Sequence, residues 1–372
     1  MKKERSISLL SFILVVIGIA FVGRFIVDNV TSNKNTNNTY EEEVTHASYG
    51  LREVEKQNAV IVDTSITFEP LVETRIEEPE FQLTSVNYYY AQLDSYGKII
   101  YRAIIDNLDK LKSGNERIKL SKKLAKVLEE ENGSELINKE FQSAWDAIDL
   151  DKQDLFYIDI SKITFVIEKT TYSTGGVAYE LYLAPTDNNI SYTKTIYGNE
   201  ENIDTILEQV KAARDEIVSK MQNMNTYQKI KYAHDYIIDN FDYSNESETG
   251  YDIYGGLVGK KGVCEAYAES FKYILDEVGI PCILVCGTAK NSEGVEEKHE
   301  WNYVQLEGKW YAVDATWDDP IVKGRGRLSE EQKHAYFMVG ANSINKDHVV
   351  SGYISGTGME FTYPELEKYN YK

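Results

Sequence analysis

Three short segments constrain this chain more than anything else in it. Gly262-Val263-Cys264 precedes an apolar helical run, and Lys298-His299-Glu300-Trp301-Asn302 opens an alternating run. Tyr311-Ala312-Val313-Asp314-Ala315-Thr316-Trp317 closes the next one. Cys264 and His299 are 35 residues apart, His299 and Asp314 15. Residues so spaced meet where the start of a helix packs against two adjacent strands. A thiol, an imidazole and a carboxylate at one point are the parts needed for attack on an amide carbonyl.

The local patterns fit that requirement. Tyr267, Phe271, Ile274, Leu275 and Val278 recur at helical spacing after Cys264, and Gly279 and Pro281 stop the helix. Cys264 thus falls in the first turn, where unpaired backbone N–H groups and the helix dipole favour a thiolate. Gly259 and Gly262 permit a close backbone approach at the reacting carbon. Alternation puts His299, Trp301 and Tyr303 on one strand face, and the turn Glu307-Gly308-Lys309 folds the next strand back so that Asp314 lies beside His299. Each residue alone has a plainer reading, as a buried small thiol, a polar edge residue and a local cap. Their order and placement together favour catalysis.

At these residues the chain resembles the transglutaminase-like superfamily, within the wider group of papain-related cysteine enzymes, and especially its bacterial members and the kyphoscoliosis-peptidase type. Those families carry Gly-Val-Cys at a helix start, His-x-Trp-Asn, and Asp-Ala-Thr-Trp at a strand end. Here these are Gly262-Val263-Cys264, His299-Glu300-Trp301-Asn302 and Asp314-Ala315-Thr316-Trp317. The resemblance runs from about Thr226 to Asp319. It implies an α+β, papain/transglutaminase-like core with the Cys at a helix N-terminus packed on an antiparallel sheet that carries His and Asp. It also implies Cys264 as nucleophile, His299 as general base and acid, and Asp314 as the group orienting His299. Glu265 and Ala266 stand where Gln/Glu-Gly is common, and Glu300 where Ala is frequent. No catalytic group is lost, and no cofactor is implied.

The expected chemistry is covalent acyl transfer through a thioester, resolved by an amine or by water. The Cys264 N–H is one candidate oxyanion donor, with Tyr251 or Tyr254 as a second. Trp301 and Trp317 are either aromatic walls of the cleft or core. Transglutaminase-type transfer is slightly favoured; a peptidase or cell-wall peptide amidase is the alternative, and a non-catalytic surface binding module the reading from another class. His348 is the rival to His299. His234, mid-helix, is read as packing or surface, and His46 falls in a linker. Asp318-Asp319-Pro320 is read as a turn rather than a calcium loop.

Elsewhere, Met1 to Arg5 is a basic stub, and Ser6 to Gly23 is an uncharged apolar run of 18 residues. That run reads as an uncleaved membrane anchor with a cytoplasmic N-terminus and the rest outside, a cleaved signal being the alternative. Residues 24–83, rich in Asn, Thr and Glu, read as a flexible stalk in which Ala59-Val60-Ile61-Val62 adds a strand. Residues 84–200 form an upstream region. It is helical to Asp149, then carries strands over Leu155–Ile167 and Ala178–Leu183 around Gly175-Gly176. Residues 201–372 are the catalytic domain, opening with helices over 202–221 and 226–241; an Asn225-x-x-Gln228 capping box starts the second. Ala335 to Val339 reads as a final strand, and Gly324 to Arg327 as an exposed loop.

A formal charge of −20 argues against a phosphate-binding stripe and so against nucleic acid as partner; it fits solubility or a preference for cationic partners, and the expected substrates are proteins or peptides, cell-wall peptides among them. Of 3 Cys, Cys282 and Cys286 share one strand, roughly 13 Å apart, too far to bridge. No Cys and His set has zinc-site spacing.

Overall fold

In the computed structural model the described residues are 43–45, 59–63, 87–114, 116–172, 176–186, 191–291, 294–323 and 328–372. The expected stub, membrane helix and most of the stalk lie outside them, as do His46, Gly175 and Gly324 to Arg327. Among the described residues no helix is long and apolar enough to cross a membrane.

The upstream region combines strands β1 (Glu43–Thr45) and β2 (Ala59–Asp63) with helices α1 (Tyr88–Gln92), α2 (Ser95–Ile105) and α3 (Leu108–Ser113). Strand β3 (Ile118–Lys119), helices α4 (Lys122–Val127) and α5 (Gly133–Asp151), and the long strands β4 (Ile163–Tyr172) and β5 (Gly176–Pro185) follow. Two segments of the expected stalk are therefore strands: β2 runs parallel to β4, and β1 pairs with Ile321–Lys323. The Asp94 carboxylate starts α2 by accepting from Tyr96 and Gly97 N–H at 2.8 and 3.0 Å. The periodicity of Leu136, Ile137, Phe141, Ala144, Trp145 and Ile148 puts them on one face of α5, and all are buried except Leu136, which is partly so; Phe141 is edge-on to Phe165 at 5.1 Å. The expected strand over 155–167 begins late, at Ile163. Before it, Asp159 accepts from Ser161 N–H at 3.1 Å and winds Ile160–Lys162 into a 3₁₀ turn, diverting backbone that would otherwise join the sheet.

Helix α6 (Glu200–Ser219) leads to α7 (Thr226–Asn240), whose capping box is complete: Gln228 N–H donates to Asn225 Oδ1, and Asn225 N–H to Gln228 Oε1, each at 2.9 Å. The short parallel strands β6 (Asp242–Tyr243) and β7 (Lys261–Gly262) then place Val263 at the N-cap of α8 (Cys264–Glu277). Gly279, at φ 70°, ends that helix. Strands β8 (Cys282–Lys290), β9 (Glu296–Leu306) and β10 (Lys309–Val313) follow, then β11 (Ile321–Lys323), α9 (Ala341–Ile344) and β12 (His348–Val350). The second four-stranded sheet runs β10-β9-β8-β12, antiparallel throughout. Glu307 and Gly308, at φ 53° and 77°, make a two-residue turn, and Val313 pairs with Asn302. Asp314 therefore leaves β10 on the side of Trp301 and His299.

The expected strand over 335–339 is a series of turns instead. Tyr336 N–H bonds the Asp318 carboxylate at 2.9 Å, Met338 takes φ 51°, and Val339 alone bridges Ala312. The last strand is β12. The upstream region and this second sheet share one continuous buried core, stitched by Tyr89 O–H to the Leu284 carbonyl and by Ser355 O–H to Asp146 at 2.9 Å.

Candidate active site

Cys264 is the first residue of α8 and fully buried. The Glu300 backbone N–H bonds its sulfur, so the thiol lies one peptide unit from His299. Burial first, then the Glu300, Glu265 and Asp314 carboxylates, push the thiol well above its ordinary range against that N–H bond. Burial and these carboxylates thus work against the thiolate that the helix start favours.

His299 Nε2 meets Asp314 Oδ2 at 2.7 Å, and both residues are buried. A carboxylate accepts, so Nε2 carries a proton, and in a neutral ring the lone pair would sit on Nδ1. That atom is buried without a hydrogen-bond partner. Thr316 and Trp317 N–H donate to Asp314 Oδ1 at 3.0 and 3.1 Å and fix the carboxylate. Burial works to raise the Asp314 pKa, yet His299 and His348 hold it well below the usual range.

His348 Nε2 reaches the same Asp314 oxygen at 3.1 Å, and its Nδ1 reaches Asp347 Oδ1 at 2.7 Å. Both ring nitrogens face carboxylates, so both carry protons. Burial works against that charge, and Asp314 and Asp347 raise the His348 pKa in spite of it. Trp301 lies near-parallel to His299 at 6.0 Å and edge-on to His348 at 4.9 Å; Trp317 lies 4.6 Å from His348.

Residues 211–315 match the model of the Transglutaminase-like superfamily. The kyphoscoliosis peptidases of Mus musculus and Homo sapiens are each 36% identical over 70 residues, covering 17% of this chain and 11% of theirs. Residues 211–315 are a transglutaminase-like core. A solved TGase shares 17% identity over 49% of this chain and 50% of its own, with a TM-score of 0.28. The periplasmic domain of TgpA from Pseudomonas aeruginosa shares 18% over 38% and 57%, with a TM-score of 0.23. The chain thus spans about a tenth of the curated relatives and half of the TGase.

Within this transglutaminase-like core the expected residues divide. The structure brings His299 and Asp314 into contact and puts Cys264 against the peptide after His299. Trp301 and Trp317 are buried against the imidazoles, at 1% and 2% exposure. Tyr254 lies in a single π turn with its ring against Phe156 and Tyr197. Tyr251 is half-buried. A side chain at Gly262 would press Ala266 Cβ at 2.4 Å and the Gly250 carbonyl at 2.8 Å, so this glycine is required by packing at the helix start.

His348, the rival to His299 in the sequence, shares Asp314 with it, an arrangement the sequence does not show. Glu265 and Glu300 are buried and act on the thiol, and Glu269 is buried beside them; among the described residues Glu269 Oε2 has no hydrogen-bond partner, and burial with the Glu265 and Glu300 charges raises its pKa well above its ordinary value. The available signal is two glutamates four residues apart on one side of a helix, where like charges repel.

Proposed function

We propose that Cys264, His299 and Asp314 act as a catalytic triad for acyl transfer from carboxamides to amines. The observation that carries this reading is the buried Nδ1 of His299, turned away from the Asp314 carboxylate and without a partner among the described residues, on the strand whose next peptide N–H, that of Glu300, bonds the thiol. His299 Nδ1 takes the Cys264 proton as sulfur bonds to the carbonyl carbon, and returns it to the nitrogen as the C–N bond breaks. Ammonia leaves and a thioester remains. An amine then attacks, passes its proton to His299, and releases the thiol as the new amide forms. The Cys264 backbone N–H, at the open start of α8, is suited to hold the oxyanion.

Enclosure favours the amine over water. The triad side chains are buried under Trp301 and Trp317, and the Glu265 and Glu300 carboxylates near the thiol suit a cationic acceptor. Hydrolysis is the second reading, favoured by the name peptidase on the curated relatives; its substrates are peptides, including cell-wall peptides. The apolar run Ser6 to Gly23 supports an anchor that holds the enzyme outside the cell on the stalk.

The test is incorporation of a labelled primary amine into a Gln-containing protein, with Cys264→Ala as control. Amine incorporation that Cys264→Ala abolishes is the expected result. Ammonia release or peptide cleavage without incorporation assigns hydrolysis instead. Inertness in both assays leaves a binding module.

A further inference from the structure

A second histidine cluster lies outside the triad. His234 and Asp235 are neighbours in the middle of α7, and His334 ends the 3₁₀ turn Gln332–His334. One ligand atom from each lies within 4.8 Å of the others. His334 Nε2 is 2.7 Å from Asp235 Oδ1, and His234 Nδ1 is 3.2 Å from that oxygen. The Lys231 ammonium stands between them, 2.9 Å from His334 Nε2 and bonded to Asp235 Oδ2.

No protonation state of His334 satisfies these contacts. Its Nδ1 is 2.6 Å from the Glu330 carbonyl, which only accepts, so Nδ1 carries a proton. Nε2 then faces an ammonium that only donates and a carboxylate that only accepts. With a lone pair, Nε2 is repelled by Asp235; with a proton, by Lys231. A metal ion in place of the ammonium removes the conflict, because Nε2 and Asp235 Oδ1 then both direct lone pairs at it. The outer contacts already suit that arrangement. His334 Nδ1–H donates to the Glu330 carbonyl, and His234 Nε2–H to Asp318 Oδ2 at 3.0 Å, which turns His234 Nδ1 toward Asp235. Protonating His234 between Asp235 and Asp318 satisfies that ring alone and leaves His334 in conflict.

We propose that His234 Nδ1, Asp235 Oδ1 and His334 Nε2 bind a divalent transition-metal ion of the zinc class, and that Lys231 holds its place. Two imidazoles and a carboxylate are a zinc donor set, with water as fourth ligand. The side chain of Lys231 is 36% exposed and free to swing into solvent. The ion would join α7 to the segment after Ser329. Through Asp318, whose N–H bonds the Asp314 carbonyl at 3.2 Å and whose Oδ1 accepts from Tyr336, it would also brace the chain that carries Asp314.

The test titrates Zn²⁺ into chelator-stripped protein by calorimetry, with metal counted by mass spectrometry and melting followed in parallel. One zinc per chain and a rise in melting temperature are expected. His334→Ala and Asp235→Asn should lose the bound zinc, Lys231→Met should bind several-fold more tightly, and Cys264→Ser should bind unchanged. Lys231→Met keeps every ligand, so its gain does not depend on the folding of the other variants. Absence of zinc from both wild type and Lys231→Met overturns the proposal. So does zinc that survives His334→Ala or disappears in Cys264→Ser.

Discussion

One carboxylate oxygen serves two imidazoles, and this sharing separates the roles of His299 and His348. Asp314 Oδ2 accepts from both, but His299 keeps a lone pair on Nδ1 while His348 spends both nitrogens on carboxylates. A ring with no lone pair cannot act as base, so in the proposed triad His348 has the part of a positioning residue that works through Asp314. His299→Gln should lower kcat/KM by about 10²- to 10⁴-fold, the range for removing a general base. His348→Gln removes one charge-assisted hydrogen bond, about 1.5–3 kcal/mol, and should cost roughly ten- to a hundredfold. Parallel kinetics on folded variants decide the matter. Equal losses, or a larger loss at His348, would reverse the assignment.

At the scale of elements, the turn before α8 and the cap before α7 differ in what they control. A methyl at Gly262 meets Ala266 Cβ and the Gly250 carbonyl, so Gly262→Ala must move the first turn of α8 and Cys264 with it. The expected cost is about 1–3 kcal/mol of overpacking, together with most of the activity. Asn225→Ala, which breaks the capping box far along the chain from the thiol, should cost about 1 kcal/mol and leave kcat unchanged. Thermal melts and kinetics on both would show it; activity loss in Asn225→Ala would mean that α7 positions the site. These elements were legible in the sequence because their signals are local. The capping pair, the Glu307-Gly308 turn and the apolar face of α8 each specify their own backbone. The 335–339 segment misled because Phe337, Met338 and Val339 read as strand, while the Asp318 carboxylate that captures Tyr336 N–H is 18 residues away in sequence. The pairing of His348 with Asp314 was illegible for the same reason, since the two are brought near only when β12 pairs with β8.

Over the whole molecule, burial of titratable groups sets the direction of its pH dependence. Asp146 is buried and its pKa is pushed up to about 7, mainly by desolvation; Asp318 is pushed up to about 6 by the same cause. Both lie above the unfolded value of about 3.9, so the native state holds protons that the unfolded chain has released. Their contribution is complete below about pH 4 and is lost as pH rises through 6 to 7. His234 and His348, raised by their carboxylate partners against the pull of burial, act in the same direction: their contribution is present below about pH 6.5 and lost above it. Asp235 and Asp314 oppose this, because burial fails to offset their histidine and lysine partners and both pKa values fall below the usual range. Their stabilisation is present above about pH 4 and disappears only in stronger acid. The formal charge of −20 adds self-repulsion that grows as carboxylates ionise. These effects place maximum stability between about pH 4 and 6. Melting temperature, measured at constant ionic strength, should therefore fall steadily from pH 5.5 to pH 8.5. In Asp146→Asn, which cannot lose a proton there, the fall should be shallower. A melting temperature that rises over that range would mean that the buried acids stay ionised in the native state, with partners strong enough to overcome their desolvation.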